Sequence, residues 1–201
     1  MKRISIILLA VVMTFSLYAC GTSKSGNASD GQQNDQENQL TGKHHVVISV
    51  KGYGDIKIEL DADVAPVTVT NFVKLAKDGF YDGLTFHRII NGFMIQGGCP
   101  DGTGMGGPGW HIKGEFAANG VKNDLKHTRG VISMARAQMP DSAGSQFFIM
   151  HEDAPYLDGQ YAAFGKVIEG MDVVDEIADT ETDYSDRPVK EQKIKRVYIA
   201  D

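Results

Sequence analysis

Asn91-Gly92 lies between two apolar runs, Phe86 to Ile90 and Phe93 to Ile95, and this is the strongest short-range hairpin signal a chain carries. A tight turn needs positive φ, which glycine adopts without steric cost. Arg88 and Gln96 are therefore predicted on paired strands. About fifty residues later comes a second block, Gly144-Ser145-Gln146-Phe147-Phe148-Ile149. Strand periodicity sets Met94 with Gln96 on one face, and Gln146 with Phe148 likewise, while Ile95, Phe147 and Ile149 point into a core. One cation, two amides and several large apolar side chains thus share an open face. That composition suits an apolar peptide group whose carbonyl or nitrogen must be met by a fixed donor.

Strand signals dominate the rest. Val46 to Lys51 and Ile56 to Leu60 alternate around Gly52-Tyr53-Gly54-Asp55, a second hairpin. Pro66 can open a helix in which Val69, Phe72, Val73 and Ala76 recur at helical spacing, with Gly79 at its end. Met171, Val174 and Ile177 mark another helix ending at Ala178, and Ile194 to Ile199 reads as a last strand. Many strands, two helices and no βαβ alternation imply a mainly β fold, a closed antiparallel barrel.

The N-terminus reads as a targeting element. Lys2 and Arg3 precede an apolar run from Ile4 to Leu17, too short for a good membrane span, so residues 1–19 are expected to be a signal peptide. Leu17-Tyr18-Ala19-Cys20 resembles a bacterial lipobox, in which cleavage leaves a lipidated cysteine; Tyr18 is bulkier than that motif usually carries. Cys20 is the expected lipidation site, which places the protein outside the cytoplasm, anchored to the cell membrane. Residues 20–42 are rich in Ser, Gly, Asn, Asp and Gln and form a tether, leaving 43–201 as the folded domain. Removing residues 1–19 leaves 18 basic and 26 acidic residues, a net charge of −8, which disfavours nucleic acid as a partner. Eight acids and no Lys or Arg fall between Glu169 and Asp186, read here as a solvated acidic face.

The motifs together resemble the cyclophilins, a family of peptidyl-prolyl cis-trans isomerases. The likeness rests on Phe86-His87-Arg88-Ile89-Ile90, Gly92-Phe93-Met94, Gln96-Gly97-Gly98, the glycine-rich Gly102 to Gly109, Gly144 to Ile149, Leu157-Asp158-Gly159 and Phe164-Gly165-Lys166-Val167. It implies an eight-stranded barrel capped by a helix at each end, with the active face outside the barrel. It also implies that Arg88 is the donor to the prolyl nitrogen and holds the proline carbonyl, that Gln96 positions Arg88 and the substrate backbone, and that Phe93, Met94, Phe148 and Leu157 line the proline pocket. Ala135, Arg136 and Ala137 would offer backbone groups to the substrate, with Gln146, Tyr156, Tyr161 and Gly102 also in the binding set. Proline-containing segments of client proteins are the expected partners, along with the bilayer through the Cys20 lipid, for a monomer that needs no cofactor. The best-known members have tryptophan where Tyr156 stands, whose indole is used by the drug cyclosporin, histidine at Tyr161 and asparagine at Arg136.

Other patterns carry less. Gly102-Thr103-Gly104-Met105-Gly106-Gly107 matches a dinucleotide motif, but Pro108-Gly109 follows where a helix must start. The six histidines have no ligand spacing, so no metal site is expected. Ser145 lacks the glycine two residues earlier that a nucleophile elbow needs. Cys99 stands where the family commonly has aspartate; with Cys20 lipidated it has no disulfide partner and reads as a structural thiol.

Overall fold

The computed structural model describes residues 39–201, so the signal peptide, Cys20 and most of the tether lie outside the described residues. Nine strands form one sheet: β1 (Lys43–Val50), β2 (Gly54–Asp61), β3 (Thr85–Phe86), β4 (Arg88–Ile90), β5 (Met94–Gly97), β6 (Val131–Met134), β7 (Phe147–Met150), β8 (Ala163–Glu169) and β9 (Gln192–Ile199). Their order is β3-β9-β1-β2-β8-β6-β7-β5-β4, and every pairing is antiparallel. The first and last in that order, β3 and β4, are consecutive in the chain and separated only by His87. One segment, 85–90, thus bonds β9 with its first half and β5 with its second, which closes the barrel. The expected count of eight becomes nine because this strand is interrupted where it changes partner.

Two helices flank the sheet, α1 (Pro66–Lys77) and α2 (Met171–Ala178). Proline opens α1, and no side chain of its own first turn caps it. Instead the buried carboxylate of Glu115 accepts from the backbone N–H groups of Val67 (3.0 Å) and Thr68 (2.8 Å). Those donors have no partner within a helix, and a negative charge there also complements the helix dipole. Phe72 of α1 carries the apolar face inward, its ring centroid 4.9 Å from Tyr81, 5.5 Å from Phe147 and 5.4 Å from Phe164. This aromatic group belongs to the barrel core, with Ile48, Ile58, Leu60, Ile95 and Ile149. Removing a Phe side chain from such a core costs about 3–5 kcal/mol.

Leu40 to Gly42, assigned by composition to the tether, are docked on the domain. Leu40 packs against the core and its N–H donates to Thr70 Oγ1 (2.8 Å), while Gly42 N–H donates to Asp63 Oδ1 (2.7 Å). No helix among the described residues is long and apolar enough to cross a membrane.

Candidate active site

The two sequence blocks lie side by side because β5 pairs with β7, Met94 opposite Met150 and Gln96 opposite Phe148. Ile95, Phe147 and Ile149 fill the barrel, while Met94, Phe148 and Met150 turn outward and form a second cluster with Val131, Ala154, Leu157 and Ala163. Gly98 makes the approach possible: its φ is +83°, and a Cβ there would run into the Ser145 carbonyl. The buried Ser145 hydroxyl donates back to Gly98 O (2.7 Å), so Ser145 staples the blocks rather than serving as a nucleophile.

The outer cluster floors a groove of about 470 Å³. Arg88 and Gln96 lie on paired strands, β4 and β5, as the hairpin predicts, and stand opposite each other. The hairpin loop is longer than a two-residue turn. Only Gly92 has positive φ, Phe93 N–H donates to Ile90 O (3.0 Å), and the extra residue, Phe93, faces the groove.

Gln96 differs from its expected role. Its Nε2 donates to Gln146 Oε1 (3.0 Å), and no hydrogen bond joins it to Arg88. The partner of Arg88 is Asp186, whose Oδ2 accepts from Nε at 3.2 Å. Gln146 in turn donates from Nε2 to the carbonyls of Gly104 (2.9 Å) and Gly106 (2.8 Å), which fixes the glycine-rich loop. Cys99, buried, holds the same loop: its sulfur accepts from the N–H groups of Gly104 and Gly106 (3.2 and 3.3 Å), and its thiol donates to Asp101 Oδ1 (2.9 Å). The Cys99 and Thr103 donors hold the Asp101 pKa at about 2.

Of the residues expected in the site, Arg88, Phe93, Met94, Gln96, Ala135, Arg136, Phe148, Leu157 and Tyr161 line this groove. Ala137 and Gln146 line an adjoining depression of about 400 Å³ beside the glycine-rich loop. Gly102 is elsewhere, in a hollow of about 270 Å³ behind His87. Tyr156 stands on the rim, 68% exposed, with its ring tilted against Phe93 at 6.0 Å. Arg136 keeps its guanidinium against the protein, donating to the carbonyls of Gln160 and Ala137 and lying over the rings of Phe116 and Tyr161.

Sequence reasoning did not single out His87, Thr103, Gly104, Ser185 and Arg187, which also line the groove. His87 is buried and neither ring nitrogen has a hydrogen-bond partner among the described residues; burial pushes its pKa below the ordinary value. Behind Phe148 stacks His127 (6.1 Å), bonded to Asp158 and to the Ser133 hydroxyl. Burial lowers its pKa despite the facing carboxylate, so the ring is held neutral. Among the described residues no Asp or Glu side chain lines the groove. The result is a pocket for an apolar ring beside a cationic donor, with no paired nucleophile and base.

Comparison with known proteins gives the same chemistry a name. Residues 45–199 match the family model of the cyclophilin type peptidyl-prolyl cis-trans isomerases. A Helicobacter pylori peptidyl-prolyl cis-trans isomerase is 55% identical over 126 residues, 62% of this chain and 74% of that protein. Peptidyl-prolyl cis-trans isomerase B of Bacillus subtilis is 55% identical over 117 residues, 58% of this chain and 78% of that protein. The crystal structure of a Cryptosporidium parvum cyclophilin type isomerase superposes with a TM-score of 0.73 at 37% identity, covering 80% of this chain and 99% of that one. By its fold, its groove and these relatives, the chain belongs to the cyclophilin-type peptidyl-prolyl cis-trans isomerases.

Proposed function

We propose that this isomerase acts on X–Pro bonds of exported proteins while held at the outer side of the cell membrane by a lipid on Cys20, and that Arg88 is its catalytic donor. The barrier to peptide rotation, about 18–20 kcal/mol, is the loss of amide resonance, and unaided X–Pro bonds take tens to hundreds of seconds. Catalysis needs a grip on the proline ring and a donor that favours a pyramidal nitrogen carrying its lone pair. The observation that carries the reading is Arg88: it faces the apolar pocket of Phe93, Met94, Phe148 and Leu157, and among the described residues only its Nε is bonded. Both Nη groups remain for substrate. Gln96 and the backbone at Ala135 to Ala137 are read as contacts to the substrate chain. A Cryptosporidium parvum relative, 38% identical, was crystallised in the presence of the dipeptide Ala-Pro, which supports a proline-containing peptide as ligand here.

The export reading is supported by Lys2, Arg3, the run Ile4 to Leu17 and the Cys20 lipobox. A diacylglyceryl anchor contributes about 0.8 kcal/mol per buried CH₂ through two chains, enough for stable attachment where one chain is marginal. The mature charge of −8 gives no attraction to anionic lipid, so the anchor alone holds the domain, a monomer on its tether.

A protease-coupled assay on a short X–Pro peptide tests the chemistry: Arg88→Ala is expected to lower kcat/KM by about one to two decades while the fold persists. Activity within threefold of wild type sinks the role of Arg88. Fractionation of bacteria expressing the full chain tests the anchor. Wild type is expected in the membrane fraction and Cys20→Ala in soluble form or stalled in processing; membrane partitioning of an efficiently processed Cys20→Ala protein overturns it.

A further inference from the structure

Asp186 is the one residue other than glycine with positive φ among the described residues, +62°. Left-handed backbone at a residue with a side chain is uncommon and persists where the surroundings impose it. Here they are specific. Asp183 accepts through Oδ1 from the N–H groups of Ser185 (2.8 Å) and Arg187 (3.1 Å), and its carbonyl accepts from Asp186 N–H (3.1 Å). Asp183 N–H donates to Arg187 O (2.8 Å), which closes the turn. The turn is then fastened to the active strand: Ile89 N–H donates to Asp186 O over 2.8 Å. With its backbone bonded beside Arg88, the Asp186 carboxylate reaches Nε at 3.2 Å.

We propose that Asp186 is the positioning residue of Arg88, holding the guanidinium by its Nε edge so that both Nη groups face the groove. Gln96 does not serve this purpose, because its amide donor is directed at Gln146. Both partners of the pair are about two-fifths exposed, so the bond adds little stability; its effect is to restrict a long side chain to one orientation. This inference rests on Arg88 being the donor, and it gives the last acid of the stretch Glu169 to Asp186 a task in the site.

Asp186→Asn keeps a residue that tolerates left-handed backbone and removes the charge; Asp186→Gly removes the side chain and relaxes the φ. Both are expected to keep their Tm within about 2 °C of wild type. Both should lower kcat by roughly three- to tenfold with KM changed less than twofold, since orientation acts on the twisted bond rather than on peptide capture. In an Arg88→Ala background the Asp186→Gly substitution should cost nothing further. The Arg88 Nε–H proton, followed by NMR, should exchange with water faster in Asp186→Gly than in wild type. A kcat within twofold of wild type in both variants overturns the proposal, as does an equal loss with and without Arg88. If Arg88→Ala itself keeps full activity, the donor assignment falls and the positioning role with it. A normal Asp186→Gly beside an inactive Arg88→Ala removes only the positioning role.

Discussion

Gln96 and Gln146 are joined side chain to side chain where the groove meets the adjoining depression, the Nε2 of the first donating to the Oε1 of the second at 3.0 Å. The bond fixes both amides: Gln146 must then aim its own Nε2 at the carbonyls of Gly104 and Gly106. One side chain thus links a groove residue to the glycine-rich loop.

Gln146→Ala removes all three bonds. Each neutral bond contributes about 0.5–1.5 kcal/mol, so a loss of about tenfold in kcat/KM is expected, with faster hydrogen exchange confined to residues 102–109. Combined isomerisation assays and peptide-resolved exchange check it. Unchanged exchange in that loop would show that Cys99 alone suffices to hold it.

Tyr156 supplies an aromatic wall on the rim but no indole N–H, and its ring leans on Phe93. A hydrogen bond worth about 0.5–1.5 kcal/mol is absent or displaced relative to a tryptophan-bearing relative. Cyclosporin is therefore expected to inhibit the wild type severalfold less than Tyr156→Trp, measured as inhibition constants under one set of conditions. Equal constants would move attention to Arg136.

Stability should fall in acid in two stages. Burial lowers the pKa values of His87 and His127 from 6.5, so unfolding adds protons that the folded chain does not bind. That contribution is complete above pH 6.5 and is lost as the pH falls through the lowered values. Asp175, held low first by its bond to Arg129, and Asp101, at about 2, contribute fully above 3.8 and lose this toward pH 2. Thermal unfolding across pH should show Tm level near neutrality, declining from about pH 6.5 and declining again below about pH 4. A Tm maximum near pH 5 would contradict the neutral histidines.

Glu115→Ala should destabilise by about 2–4 kcal/mol, since it strands the N–H groups of Val67 and Thr68 at the buried start of α1. Glu115→Gln retains an acceptor and should cost less. Urea unfolding with unchanged m-values measures both. Equal stability of wild type and Glu115→Ala would mean that water caps the helix.

Much of this was legible in the chain because the signals are local. Asn91-Gly92 predicted the hairpin that puts Arg88 and Gln96 on paired strands, although the extra loop residue Phe93 sets their register, and the apolar steps from Met171 to Ala178 match the bounds of α2. What escaped reading depends on distance. Asp186 meets Arg88 across 98 positions, and Glu115 caps α1 across 48, so neither pair leaves a trace in spacing. Composition made Glu169 to Asp186 a solvated face, and most of its acids are exposed, but composition could not show that Asp175 is bonded to Arg129 (2.7 Å) and Asp179 to Asn91 (2.6 Å). Leu40 was merged into the tether for the same reason: one apolar residue in a polar stretch gives no pattern, although it docks.

The strand interrupted at His87 ties the donor to the closure of the barrel. Arg88 sits on the segment whose two halves join opposite ends of the sheet, so the guanidinium and the groove floor share one frame only in the closed barrel. With that seam open, the chain would present floor without donor. The seam that completes the barrel is thus the seam that completes the site.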